Sequence, residues 1–410
     1  MMNADGVLIV GGGLAAQRCA ETLRRKGFDG SVRMVCAEPD PPYDRPPLSK
    51  ELLAGAADED ALAYRPAWWH EERRIELLLG RRAEALDPAA RTVRLDGGEE
   101  IGYDSLLIAT GGEARRLPFL AGFENVHSLR TLADARRLRA DLAPGARLAV
   151  IGAGFIGQEV AATARGLGVE VTMVEALPVP LSPILGEELG AWFAGLHREE
   201  GVRVLTGARL ESARGRGGRV EALALADGTT AECDAVVVGV GTSPATGWLR
   251  GSGLDERGVR TDATTATSLP GVFAAGDASI PFEPRFGEHA RTEHWDAAAW
   301  QGSAAAKAML GERPSRPPLP SFWSDQYGLR IQYVGHARHA DAVSVEGDPG
   351  ERDFEAVFTR AGVPVAGLAV GRPRAIPTLR KRIETGADGP KSADIERFSA
   401  RRPLGGEEAA

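Results

Sequence analysis

The sequence predicts an α/β fold assembled from several units, and three observations carry that reading. A short apolar run ends in a glycine cluster and leads into a helical stretch and a second apolar run, and this arrangement occurs twice, after Val10 and after Ile151. Beyond a proline-rich segment the pattern changes to short strands. The length, 410 residues, exceeds the roughly 250–300 at which a single hydrophobic core stops growing.

Val7 to Val10 reads as a strand, Gly11 to Gly13 as a turn, Ala15 to Lys26 as a helix and Val32 to Ala37 as a second strand, which makes a β-α-β unit. The same order returns with the strand Arg147 to Ile151, the turn Gly152 to Gly157, the helix Gln158 to Gly166 and the strand Glu170 to Glu175. Ser105 to Thr110 is a further buried strand that runs into Gly111 and Gly112, and Ala235 to Val240 matches it, running into Gly241 and Thr242. These two stretches are expected to be crossings between units. Pro314 to Pro320 holds four prolines and reads as a linker. After it Gln332 to Gly335, Glu355 to Thr359 and Val363 to Val370 read as strands of a third, α+β unit, and the polar tail beyond Gly386 is expected to fray.

Composition narrows the function classes. The chain is 43% hydrophobic and 26% charged with a net charge of −8, which gives no global attraction to nucleic acid or to an anionic membrane. Its longest apolar runs, such as Leu148 to Gly154, fall far short of the roughly 20 residues a spanning helix needs. The first apolar stretch has no basic leader, so the expected location is the cytoplasm. Cys19, Cys36 and Cys233 are widely spaced and odd in number, which speaks against a disulfide framework and against a cysteine-held metal. No metal is expected.

The glycine turns carry chemistry. Gly11-Gly-Gly13-Leu14-Ala15-Ala16 lets a helix N-terminus approach a pyrophosphate, and Glu38 at the end of the next strand is placed to bind ribose hydroxyls. Gly152-Ala-Gly154-Phe155-Ile156-Gly157 repeats the device, with Glu175 as its acid. A carboxylate there suits a free 2′-hydroxyl and repels a 2′-phosphate, and no arginine occurs from Ala176 to Leu185, so NADH is expected rather than NADPH. Two such turns imply two dinucleotides. Which one occupies which turn is not decided by the glycines, although Gly276-Asp277 offers a carboxylate that could bond a ribityl chain, as well as an ordinary turn.

Several strings in order along nearly the whole chain resemble the glutathione-reductase-type ferredoxin reductases: Gly11 to Ala16, Tyr43-Asp-Arg45-Pro-Pro-Leu-Ser-Lys50, the turn Ala109-Thr110-Gly111, Gly152 to Glu159, Ala274 to Asp277, Glu293-His294-Trp295 and Trp323-Ser-Asp-Gln-Tyr. The resemblance implies a glutathione-reductase-like fold of two Rossmann-like domains and a C-terminal α+β domain, with FAD in the first glycine turn and NADH in the second. The implied division is an FAD domain over 1–113 and 239–317, an NADH domain over 114–238 and a C-terminal domain over 318–410. It further implies that Arg45 neutralises FAD phosphate charge, that Ala83 and Arg130 touch FAD, and that Trp295 and Trp323 pack beside the flavin ring. Glu293 and His294 belong to the same FAD set, and Gly241 to the NADH set. Lys50 near the flavin, Glu159 facing the nicotinamide and Trp323 are the residues implied at the reacting rings. Each also has a plainer role open to it: solvated charge for the two cations, core aromatic for the tryptophans, helix-surface acid for Glu159.

The stretch Asp44 to Leu53 contains no cysteine, whereas disulfide reductases of this fold carry a redox cysteine pair there, so electrons are expected to leave from the flavin edge to a one-electron acceptor. An acidic two-iron, two-sulfur ferredoxin that supplies a cytochrome mono-oxygenase or a Rieske dioxygenase is the expected transient partner. Its docking face is sought among Arg330, Arg338, Arg372, Arg374, Arg380, Lys381 and Arg382, the last five lying in a run free of acids. Rubredoxin is the alternative acceptor, and an NADH-responsive signalling module or a scaffold without turnover are alternative classes. Nothing in the sequence distinguishes a monomer from a homodimer.

Overall fold

A computed structural model describes residues 6–386 apart from 286 and 339. The tail expected to fray, and the end of the expected C-terminal unit, lie outside the described residues. Two five-stranded parallel sheets and one five-stranded antiparallel sheet dominate the fold. The first sheet runs in the order Val272–Ala274, Ser105–Ile108, Gly6–Val10, Ser31–Cys36, Ile75–Leu79. The second runs Arg203–Leu205, Glu170–Val174, Arg147–Ile151, Ala235–Val238, Val126–His127. Gly6–Val10 is buried along its whole length, because helices or hairpins cover both faces of such a sheet and its strands become unbroken apolar runs.

Each central strand is followed by a crossover helix, Leu14–Arg25 in one unit and Phe155–Gly166 in the other. The second helix starts at Phe155, earlier than the expected Gln158, because Gly154 closes the turn in an extended conformation and acts as N-cap. The two turns are built alike. Gly11 has φ +135° and a Cβ there would lie 2.1 Å from the carbonyl oxygen of Ala109, while Gly152 has φ +96° and a Cβ there would lie 2.4 Å from that of Gly239. Any side chain at either position is excluded twice, by backbone conformation and by contact.

The chain leaves the first unit through Gly112–Ala114 and returns through Thr242–Pro244, and these two segments pair antiparallel. The C-terminal sheet runs Ser321–Gln326, Leu329–Gly335, Val363–Val370, Asp353–Arg360, Ala342–Asp348. The Trp-Ser-Asp-Gln string is therefore an edge strand, joined to its neighbour by the turn Tyr327-Gly328, both with positive φ as a two-residue hairpin requires. One face of this sheet buries Ile331, Tyr333, Phe354 and Leu368 against Leu185, Leu189 and Phe193 of the helix Ser182–Glu199. The other face receives Leu379 of the helix Ala375–Thr385. No described helix is long and apolar enough to cross a membrane.

The helix Trp295–Met309 packs on Leu14–Arg25 so closely that a Cβ at Gly302 would lie 2.1 Å from the carbonyl oxygen of Ala15. Gly302→Ala is accordingly expected to push the first glycine-turn helix aside and to lower the unfolding free energy by about 1–3 kcal/mol, measured by urea denaturation.

Candidate dinucleotide and electron-transfer site

Both glycine turns present open helix ends. Gly13 and Gly154 are N-caps without a side-chain cap, and a Cβ at either would meet nothing within 4 Å. The first backbone N–H groups of each helix, including those of Leu14, Ala15 and Ala16 in one and of Ile156 and Gly157 in the other, are therefore unclaimed by capping side chains, the condition for anion binding. Around the first turn the predicted FAD residues converge from distant parts of the chain. Arg130 donates to Asp277 at 2.7 Å, and Arg45 donates to the Arg130 carbonyl at 2.5 Å. Gly111 lies against this group, since a Cβ there would meet the Arg130 guanidinium at 3.4 Å, and Gly276 lies against Ala15. Thr110 donates to the Ala245 carbonyl at 2.8 Å, fixing the crossing rather than facing the turn. Ala83 is buried on a separate three-stranded sheet that packs beneath the first.

Glu38 is held on both oxygens, by Arg45 at 2.6 Å and by the Tyr43 hydroxyl at 2.5 Å. Burial lowers the Arg45 guanidinium's pKa, but the nearby Tyr43 and Glu38 more than offset it, so Arg45 keeps its charge. Arg45 thus spends its charge on Glu38 in this structure. Glu175 is held comparably, accepting from the N–H of Ala153 at 2.7 Å and of Leu177 at 2.8 Å. Ile156 is exposed at the mouth of the second turn, whereas Phe155 packs on Phe193 and Phe322. Gly241, with φ +93°, immediately precedes the segment Thr242–Pro244 that pairs the two crossings.

A buried ion pair sits between the units. Lys50 and Glu159 meet at 2.7 Å with side chains 9% and 6% exposed. Glu159 also accepts from Ser49 at 2.5 Å and from Ser324 at 2.7 Å, so that two distant segments of the chain end on one carboxylate. Neither cation nor acid is a solvated surface charge. The sequence strings contained both serines, but a hydroxyl inside a motif carries no sign of which acid it reaches. Trp295 and Trp323 stand edge to face at 6.0 Å, Trp295 donating to Asp44 at 2.8 Å and Trp323 covered by the Arg330 guanidinium at 5.3 Å. His294 has a buried Nδ1 without a hydrogen-bond partner among the described residues, and burial lowers its pKa to about 4. Glu293 is exposed and accepts from Thr242 at 2.8 Å.

The residues present fit two dinucleotides. Two uncapped helix ends over open space, a ribose-side acid beside each and an orphaned polar nitrogen between the units are the donor set such ligands need. The three cysteines are free and buried, and burial raises the thiol pKa of Cys36, the one beside the first turn, to about 12. A dithiol is absent from the junction.

Two glycine-turn units with a buried ion pair between them and an antiparallel C-terminal sheet define a two-dinucleotide oxidoreductase that uses FAD and NAD(H). The chain belongs to the pyridine nucleotide-disulphide oxidoreductase family, whose model matches residues 5–302, and it carries a reductase C-terminal unit over 321–397. It is similar to the anthranilate 1,2-dioxygenase system ferredoxin–NAD(+) reductase component of Burkholderia cepacia, with 41% identity covering 94% of this chain and 96% of that one. Among solved structures it is similar to the ferredoxin reductase for the CYP199A2 system from Rhodopseudomonas palustris, with TM-score 0.91 and 34% identity over 96% of this chain and 98% of that one. It is also similar to the reductase in a covalent putidaredoxin reductase–putidaredoxin complex, with TM-score 0.90 and 33% identity over 93% of each chain.

Removing one member of a buried ion pair leaves the other uncompensated. Lys50→Met is expected to cost about 3–5 kcal/mol of stability, and adding Glu159→Gln to it is expected to recover most of that loss, as read from urea unfolding of the single and double variants.

Proposed function

We propose that this protein is an NADH:ferredoxin oxidoreductase whose acceptor is an acidic two-iron, two-sulfur ferredoxin serving an oxygenase, docking transiently. The observation that carries the reading is the junction itself, where a buried Lys50–Glu159 pair stands between the two nucleotide units with no thiol to receive electrons. A bound FAD would supply the conversion between hydride and single-electron chemistry, which no side chain can make. The chain's own residues bind, orient and exclude water. On this reading the units divide at 113/114, 238/239 and 317/318, Gly11 to Ala16 with Glu38, Arg130 and Asp277 hold FAD, and Gly152 to Gly157 with Glu175 hold NADH. Lys50, Glu159 and Trp323 border the reacting rings. The free thiols suit a reducing compartment, and we place the reaction in the cytoplasm.

The docking charges divide into two groups. Arg330 pairs with Asp325, Arg372 with Asp353, and Arg380 donates to the Leu319 carbonyl and the Ser321 hydroxyl. Arg382 is half-buried. Arg338, Arg374 and Lys381 are exposed without an ion-pair partner among the described residues, so they are the cations able to meet an acidic partner. Burial of charge already neutralised adds little steering.

The test is an anaerobic titration with NADH followed by oxidised two-iron ferredoxin, watching flavin absorbance. Bleaching by NADH and recovery on ferredoxin are expected, whereas bleaching without recovery would move the acceptor to rubredoxin or the role to signalling. Because the Glu175 carboxylate is held in place at the ribose side of the second turn, the kcat/KM preference for NADH over NADPH is expected to be at least about tenfold, or about 1.4 kcal/mol. Reversing Arg338, Arg374 and Lys381 to glutamate is expected to raise the ferredoxin KM about tenfold, leaving NADH-dependent ferricyanide reduction unchanged and weakening the dependence of ferredoxin turnover on salt.

A further inference from the structure

We propose that Tyr327, His197 and Gln158 form a positioning chain by which the C-terminal unit holds the second glycine turn in its NADH-binding shape. The inference rests on the assignment of Gly152 to Gly157 to NADH. Tyr327 opens the two-residue turn between the strands Ser321–Gln326 and Leu329–Gly335. Its hydroxyl lies 2.6 Å from Nδ1 of His197. His197 belongs to the helix Ser182–Glu199 and is 1% exposed, and its Nε2 lies 3.3 Å from Oε1 of Gln158, which is itself fully buried. Gln158 donates from Nε2 to the carbonyl oxygen of Ala153 at 2.9 Å.

The direction of every bond is fixed by chemistry. A carboxamide oxygen only accepts, so Nε2 of His197 carries the proton and donates, leaving Nδ1 to accept from the Tyr327 hydroxyl. Burial lowers the imidazole pKa to about 4, with the Gln326 side chain opposing the fall, so the ring is neutral near neutral pH as this arrangement requires. Burial also raises the Tyr327 hydroxyl pKa, keeping it a donor.

Ala153 is the middle residue of Gly152-Ala-Gly154. Its N–H is tied to Glu175 and its carbonyl to Gln158, so the turn is clamped from both sides. The neighbouring residue of the same hairpin acts in parallel, since Gln326 donates to Ser324 at 3.0 Å and Ser324 donates to Glu159. Adjacent residues of one C-terminal turn therefore reach adjacent residues of the NADH helix, Gln158 and Glu159. NADH affinity should depend on a hydroxyl far from the nucleotide in sequence.

Tyr327→Phe isolates the effect, because the ring that stands edge to face with His197 at 5.2 Å is retained and only the hydroxyl is lost. The flavin-loaded full-length protein and this variant are compared by NAD+ titration calorimetry, by NADH kinetics with ferricyanide and by thermal unfolding. The expected result is an NAD+ dissociation constant and an NADH KM raised about threefold to tenfold, with kcat within about twofold and a cooperative unfolding midpoint lowered by only a few degrees. His197→Leu is expected to weaken NADH at least as much, and His197→Gln, which keeps an amide donor, to recover part of the loss. Unchanged NAD+ affinity in Tyr327→Phe, or a fall in kcat at constant KM, overturns the chain. Failure of the unaltered protein to bind NAD+ overturns instead the assignment of the turn.

Discussion

Burying the charges of Lys50 and Glu159 together is the constraint on which the arrangement of units depends. A carboxylate taken out of water is tolerable only when its oxygens are fully engaged, and here Glu159, on the helix Phe155–Gly166, draws its partners from two other segments: Ser49 with Lys50, and Ser324 of the edge strand Ser321–Gln326. No one unit can satisfy the acid alone. The relative placement of the two nucleotide turns is thereby tied to the C-terminal sheet.

The glycine turns and their acids were legible because their requirements are local. Positive φ and close approach at Gly11 and Gly152 leave only glycine possible, and Glu38 and Glu175 sit at the strand ends that a β-α-β unit prescribes. The start of the second helix is legible only to within three residues, because Gly154, Phe155 and Ile156 read as turn, while the backbone turns helical as soon as Gly154 has capped it.

What was not legible was pairing over long separations. Nothing in the local sequence says that Arg130 faces Asp277 or that Ser324 faces Glu159, since those contacts form only once the sheets are in place. The pairing of the basic run from Arg372 to Arg382 is hidden for the same reason. Composition shows five cations and no acid, but Asp353 and Glu355 on the next strand neutralise Arg372, and Arg380 is turned onto backbone. Part of the charge that looks available along the chain is consumed across it.

The pairing of Gly112–Ala114 with Thr242–Pro244 brings the exit and the return of the inserted unit side by side. A host whose two connections meet at one short antiparallel ladder needs no internal rearrangement to accept a guest, because the guest's ends are already at the spacing the ladder sets. The second nucleotide unit is in this sense a cassette, and its exchange for another of similar end-to-end geometry would leave the first sheet's strand order untouched.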